Sequence, residues 1–393
     1  MPDAVIVGYA RTPIGRFAGA LASLSAVELG GRAIVGALER AGVGVDAVEH
    51  VVMGHVLQAG QGQITARQAA RRAGIGLEVP ALTVNKVCLS GTSAVALAEQ
   101  AIRLGEADLV VAGGMESMST APYLLPGARQ GYRMGDQTVV DAMIHDGLWC
   151  AFDDEHMGAG SDRANAAYGI DRARQDAWAA RSHERAVTAW KEGRLAGQVV
   201  PVEVPQRKGD PRLVEADEGM RSETTTESLG QLRPAFTPEG TITAGNASQV
   251  SDGAAALVLA SVSRARELGL AALGRVCAYG QVAGPDPSLH HQPAAAVEAA
   301  ARKVALDPSS FDVYEITEAF AAVAIHATDL LGVDESRVNP DGGAVAIGHP
   351  IGATGARITA AVLDQLARRG GGRGVAALCG GGGQGDALIL ESV

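Results

Sequence analysis

Little in this sequence can act as a covalent or metal staple. Its 393 residues hold four cysteines, Cys88, Cys150, Cys277 and Cys379, scattered along the chain and without a CxxC pair. That excludes a disulfide framework and argues against a zinc site or a thioredoxin-type motif, so no metal is expected. Aromatic residues are scarce, at 4%, and the core must therefore be aliphatic and rich in alanine. Only Lys86, Lys191, Lys208 and Lys303 supply lysine. Basic residues total 33 against 44 acidic ones, a formal net charge of −11. Such a chain lacks the basic face of a general nucleic-acid binder, although a local basic cluster can still hold an anionic small molecule. No run of about 18 apolar residues occurs, so no membrane span is expected. The N-terminus has no basic segment followed by an apolar one, so no signal peptide is expected and a reducing cytoplasm is the default setting.

Glycine is in surplus, with 51 residues where the usual share is about 7%. Without a collagen period, that density implies many tight turns and close backbone approaches. Apolar residues make up 47% of the chain, enough for a large core, and the length suits two or three domains.

Along the chain, short apolar runs alternate with amphipathic stretches. Ala4–Gly8, Val51–Val56 and Leu109–Ala112 read as strands, and Leu24–Ala41 and Ser90–Leu104 as helices, the second closing at Gly105. From about Thr120 to Gln249 the alternation is lost, apart from a helix at Asp171–Arg194, and Pro205–Pro238 reads as polar loop. Alternation resumes with strands at Ala254–Ala260, Val313–Ile316, Val375–Cys379 and Ala387–Glu391, and helices at Pro293–Val304, through Leu331, and at Arg357–Arg369. Strands alternating with helices predict an α/β fold with helix-covered sheet faces. Both ends of the chain carry a cysteine at a strand end followed by small residues, Cys88-Leu89-Ser90-Gly91 and Cys379-Gly380-Gly381. This suggests an internal duplication with the two cysteines meeting near a pseudo-twofold axis.

Four segments carry chemistry. In Asn85–Gly91 a strand-like approach ends at Cys88 and a helix follows. The helix dipole favours a thiolate there and lowers the thiol pKa; the competing reading is a small buried cysteine. In Gly342–Gly355 a single His349 sits on a turn of glycine and proline, which suits a base beside a nucleophile; the alternative is a turn histidine bonded to nearby carbonyls. Cys379–Gly385 formally contains GxGxxG, but a strand follows and too few residues remain for a βαβ unit, so a dinucleotide site is excluded. The better reading is a tight turn that exposes backbone N–H groups beside a thiol, as an oxyanion hole requires. Glu315–Ala321 reads as a strand end entering a helix, with Thr317 as a possible N-cap. His290-His291 reads as a solvated loop pair and Asp153–His156 as a polar loop. Arg207, Lys208, Arg212, Arg221 and Arg233 form either a solvated face or a site for a phosphorylated ligand. Two cysteines, one histidine and glycine-rich turns suggest thiol-based acyl transfer.

Over nearly its whole length the sequence resembles the thiolase family. The resemblance rests on Asn85–Gly91, Gly114-Met115-Glu116-Ser117-Met118-Ser119, Gly245-Asn246-Ala247-Ser248, Gly342–Gly355 and Cys379–Gly385. Asp146-Gly147-Leu148 and His156-Met157-Gly158 look like the acetoacetyl-CoA, or biosynthetic, branch. The resemblance implies a five-layered α-β-α-β-α core of two similar halves, residues 1–119 plus 250–270 and residues 271–393. It also implies an inserted loop domain at 120–249 that binds coenzyme A, and a homodimer that can pair into a homotetramer.

The implied activity is Claisen condensation of two acetyl-CoA to acetoacetyl-CoA, and its reversal, with acyl-CoA as substrate and no cofactor. A degradative 3-oxoacyl-CoA thiolase and a catalytically lapsed coenzyme A-binding scaffold are the alternatives. By the same resemblance Cys88 is the acylated nucleophile, and His349 activates it and contributes to an oxyanion site for the thioester oxygen. Cys379 moves the Cα proton, and the N–H groups of Cys88 and Gly380 hold an oxyanion. Arg221, Ser228 and Ser248 match coenzyme A contacts, while Leu148, His156, Met157, Ala319 and Phe320 match pocket positions. Two departures stand out. Thr317 occupies a position where thiolases usually have an asparagine that orients an oxyanion water. Leu89 replaces a small residue, which would narrow the site.

Overall fold

The structure, a computed structural model, describes residues 3–393. Its main strands are β1 (Ala4–Arg11), β2 (His50–Gly54), β3 (Ala81–Val84), β4 (Leu109–Ser117), β5 (Ser251–Ser261), β6 (Gly274–Ala283), β7 (Val313–Ile316), β8 (Arg373–Gly380) and β9 (Gln384–Ser392). The main helices are α1 (Ala26–Ala41), α2 (Thr65–Arg72), α3 (Ser90–Leu104), α4 (Met157–Tyr168), α5 (Arg172–Lys191), α6 (Gln292–Lys303), α7 (Ala321–Leu331) and α8 (Thr354–Arg368).

The helices begin and end where local chemistry dictates. Ser25 caps α1 in a reciprocal box with Glu28, and Gly42 ends it at φ 69°. Asp171 caps α5, its side chain accepting from the Arg174 N–H. Gly105 closes α3 at φ 75°.

The strands form two like half-sheets. The first runs β3-β2-β4-β5-β1, with β2 parallel to β3 and β4, and β5 antiparallel to β4 and β1. The second runs β7-β8-β9-β6, with β7 parallel to β8, and β9 antiparallel to β8 and β6. A lone parallel bridge between Tyr314 and Val338 stands where β3 stands in the first. One residue pair, Ile6 with Gly274, joins the half-sheets edge to edge.

Side-chain alternation assigns the layers. Along β5, Ala254, Ala256, Val258 and Ala260 face a core shared with α1 and α2, while Ala255, Leu257 and Leu259 face a second core. That second core also takes Leu378, Leu388 and Leu390 of the other half-sheet, together with α3 and α8. A third core lies between the second half-sheet, α6 and α7. The order is therefore α1/α2, first half-sheet, α3/α8, second half-sheet, α6/α7: five layers from two halves. The cores are built from alanine, valine, leucine and isoleucine, as the scarcity of aromatics requires.

The two halves repeat, but the two cysteines are not repeats of each other. Cys88 lies between β3 and α3. The matching place in the second half, between Val338 and α8, holds the His349 turn. Cys379 is next to last in β8, whose counterpart β4 ends at Glu116-Ser117. The duplication thus brings one cysteine loop and one histidine loop to the central helix layer, each just ahead of one of its two helices.

Between β4 and β5 the chain leaves the layers. This stretch holds short pairings such as Trp149–Cys150 with Glu155–His156, the helices α4 and α5, and a strand pair at Val202–Val204 and Arg212–Val214, the second strand lying within the expected loop. Helix α5 packs on α7 and on the turn at Ala344–Ile347.

Candidate active site

The nucleophile turn is tight and strained. Val87 adopts φ 50°, rare for a β-branched residue. It is held there by its N–H to Asn85 Oδ1 (3.1 Å) and by its carbonyl, which accepts from the Ser90 hydroxyl (2.6 Å). Ser90 also accepts from the Lys86 N–H at 2.8 Å. Cys88 emerges at 5% exposure, one residue before Leu89, the N-cap of α3. The expected lowering of its pKa does not occur. Burial pushes the thiol up to about 12, against the weaker pull of the N–H groups of Cys88 itself and Gly381 on the sulfur. Desolvation of the thiolate outweighs the helix terminus.

His349 is equally buried. Its Nδ1 lies 2.6 Å from Thr354 Oγ1, and the Thr354 hydroxyl donates to the Pro350 carbonyl at 3.0 Å. The threonine hydrogen being used there, its oxygen accepts from Nδ1–H, which leaves Nε2 unprotonated. Nε2 has no hydrogen-bond partner. Burial, aided by the Arg357 guanidinium, lowers the imidazole pKa to about 3. The pair at rest is a neutral thiol and a neutral imidazole whose free nitrogen can accept a proton.

Cys379 is the next-to-last residue of β8, after which the chain turns back into β9 through Gly381-Gly382-Gly383. Gly382 and Gly383 adopt φ 78° and 67°, so this turn needs glycine. The glycine run is a hairpin and not a phosphate loop, in keeping with the strand expected after it. The Cys379 thiol is pushed up too, first by burial and then by the neighbouring Cys88.

Cys88, His349, Cys379 and Gly380 line one cavity of about 210 Å³. Leu148, His156, Met157, Ser248, Ala319 and Phe320 line it with them. Met118, Ile351 and Gly381, from the motifs above, stand on the same wall, as do Phe236 and Leu289, which sequence reasoning missed. Phe236 stacks on His156 with ring centroids 4.5 Å apart, and His156 Nδ1 accepts from the Gly158 N–H. Phe236 lies in a stretch without periodicity, so no pattern announced it. Arg221 and Ser228 lie apart from this wall, both exposed. Ser228 instead makes a reciprocal cap with Thr225.

Thr317 is not among the lining residues and is no N-cap; Phe320 takes that place on α7. The Thr317 hydroxyl is buried without a partner. Glu318 beside it is the organiser of this corner. Its carboxylate accepts from Trp178 Nε1 (2.8 Å), the Ser182 hydroxyl (2.8 Å), Asn339 Nδ2 (3.0 Å) and the Val345 N–H (3.0 Å). That ties α5 to the segment leading into His349.

Leu89 does not narrow the site. It is fully buried in the central core, absent from the cavity wall, and fills the space where a Cβ on Gly380 would stand, 2.6 Å from Leu89 Cγ. Nor is His290 solvated. It is 0% exposed, with Nε2 2.7 Å from Asn165 Oδ1, while His291 is half-buried beside Ser288 and the Gly284 carbonyl. Among the described residues no cluster of three or more His, Cys, Asp or Glu could hold a metal, and no helix is long and apolar enough to cross a membrane.

Two thiols and one imidazole with a free nitrogen, sharing an apolar cavity between duplicated α/β halves, define a site built for thiol chemistry on small acyl-like groups. The family models describe the same two halves: "Thiolase, N-terminal domain" matches residues 4–263 and "Thiolase, C-terminal domain" residues 270–392. The chain belongs to the thiolase family. A protein of Mycolicibacterium smegmatis named "Probable acetyl-CoA acetyltransferase" is 55% identical over 98% of this chain and 100% of its own length. A Mycobacterium tuberculosis protein of the same name is 54% identical over 100% of both chains. The "Acetyl-CoA acetyltransferase" of Cupriavidus necator is 49% identical, also over 100% of both.

Proposed function

We propose that this protein is an acetyl-CoA C-acetyltransferase, joining two acetyl-CoA into acetoacetyl-CoA and coenzyme A and running the reverse thiolysis. The observation that carries the reading is the meeting of Cys88, His349 and Cys379 on one small, largely apolar wall.

In the first half-reaction the Cys88 sulfur attacks the thioester carbonyl while His349 Nε2 takes its proton. The C–S bond to coenzyme A then breaks, and the proton passes to the departing thiolate. In the second, His349 Nε2, free again, takes the Cys379 proton, and the Cys379 thiolate removes a Cα proton from another acetyl-CoA. The carbanion attacks the acyl carbon on Cys88, that C–S bond breaks, and the Cys88 thiolate recovers its proton from His349. Thioester exchange is nearly isoenergetic, so the difficult step is the Cα proton. It needs a placed base and preformed donors for the enolate, together worth several kcal/mol.

The Gly381 and Cys88 N–H groups, which reach the Cys88 sulfur, are the donors we assign to the tetrahedral oxyanion, with Gly380 beside them. Thr317 is assigned to the thioester-oxygen site through a water, its unpaired buried hydroxyl supporting this. We assign Ser248 to the pantetheine end of coenzyme A, and Arg221 and Ser228, exposed on residues 120–249, to its nucleotide end. The apolar side chains Tyr123, Leu125, Met134 and Phe152, exposed on that same insertion, support assembly of dimers into tetramers through it.

The relatives named acetyl-CoA acetyltransferase support short acyl groups. Comparing thiolysis rates over 3-oxoacyl-CoA of increasing length tests this. Acetoacetyl-CoA is expected to give the highest kcat/KM; a maximum at long chains would make the protein a degradative 3-oxoacyl-CoA thiolase instead.

A further inference from the structure

The two cysteines come from different halves of the molecule, and the half-sheets meet edge to edge at the single pair Ile6–Gly274. The shared central core also joins the halves, and a polar bridge nearer the site can fix the separation of the two sulfurs. Asp386 is placed to do so. It lies on β9 opposite Leu378, next to the Cys379–Gly385 pair, and is wholly buried. Its carboxylate accepts from Lys86 Nζ at 2.8 Å, from the Ser93 hydroxyl at 3.0 Å and from the Tyr279 hydroxyl at 2.6 Å.

Lys86 and Ser93 flank Cys88. The first sits on the strained turn before it and the second on the opening turn of α3. Tyr279 belongs to β6 of the second half. One carboxylate on the Cys379 hairpin thus grips the Cys88 segment on both sides, while β6 braces it from behind. A buried charge with three donors is costly to leave half-satisfied, so the three bonds hold together.

We propose that Asp386 is a positioning residue that sets the Cys88–Cys379 separation, and that carbon–carbon bond formation depends on it far more than acyl loading of Cys88 does. The proposal rests on the roles assigned above to the two cysteines. Loading needs only Cys88 and His349, both in or beside the central layer. Condensation also needs the Cys379 sulfur at the Cα of the second acetyl-CoA, and a misplacement of about 1 Å can cost about 10²-fold.

The test compares two rates in Asp386→Asn. Exchange of isotope-labelled coenzyme A with acetyl-CoA reads loading alone; formation of acetoacetyl-CoA reads both steps. Expected are exchange within about 3-fold of wild type and condensation lower by about 10–10²-fold, with KM for acetyl-CoA little changed. Tyr279→Phe, which removes one donor and leaves the ion pair, should show the same split to a smaller degree and keeps the test open if the Asn variant fails to fold. Equal losses in both rates, or no loss in either, would overturn the proposal. The wild-type exchange, which Cys88→Ala should abolish, tests the underlying assignment separately.

Discussion

Thr354 decides which nitrogen of His349 carries its proton. The hydroxyl stands 2.6 Å from Nδ1 and spends its own hydrogen on the Pro350 carbonyl, so Nδ1 must donate and Nε2 must be the base. The two residues are five apart, on the turn and first helical position of α8, so the helix start itself orients the imidazole. Thr354→Val keeps the shape and removes the acceptor. General-base action is worth about 10²–10⁴-fold, and this variant is expected to lose at least about 10-fold in kcat with KM unchanged. Thr354→Ser should retain activity. Equal rates in both variants would show that the hydroxyl does not set the tautomer.

The thiol and the imidazole are neutral together. Burial raises the Cys88 pKa to about 12 and lowers that of His349 to about 3. Between those limits neither group titrates in the free enzyme, and the thiolate fraction rises tenfold per pH unit. Alkylation of Cys88 by iodoacetamide should therefore climb steadily from about pH 6 to about pH 9, since the thiolate is the nucleophile. A plateau in that range would reveal a resting thiolate–imidazolium pair, which the burial of both groups opposes.

Leu89 belongs to the core and not to the cavity. Leu89→Ala should cost about 2–5 kcal/mol in urea unfolding, the usual cost of a buried leucine, without shifting the chain-length preference. Faster turnover of longer 3-oxoacyl-CoA in this variant would return Leu89 to the cavity wall.

The hydroxyl of Thr317 has no partner although it is buried, an arrangement that costs stability unless it is used. Thr317→Val should leave the melting temperature equal or higher. Its turnover should fall by about 10²–10³, as for a lost oxyanion donor. Unchanged turnover would remove Thr317 from the mechanism.

The layers are legible in sequence where one period dominates. Helix α3 and strand β7 match their expected bounds, and β5 differs only at its ends, because propensity and burial agree along them. Strand β6 is hidden because Arg275, Tyr279 and Gln281 interrupt its apolar positions, and α4 because its glycines blur any apolar stripe. At the site, the residues tied to compact motifs, Cys88, His349 and Cys379, can be found from sequence. Phe236 and Leu289 cannot, since long-range packing alone brings them to the wall. The thiol pKa departs from expectation for a related reason: the helix start is visible in sequence, whereas the depth of burial is not.

The central claim is acyl transfer through Cys88. Intact mass of the purified protein after brief exposure to acetyl-CoA, beside Cys88→Ala, tests it most directly. The account predicts one acetyl adduct on the wild type and none on the variant. Binding of coenzyme A without an adduct on the wild type, or an adduct that survives in Cys88→Ala, would contradict it.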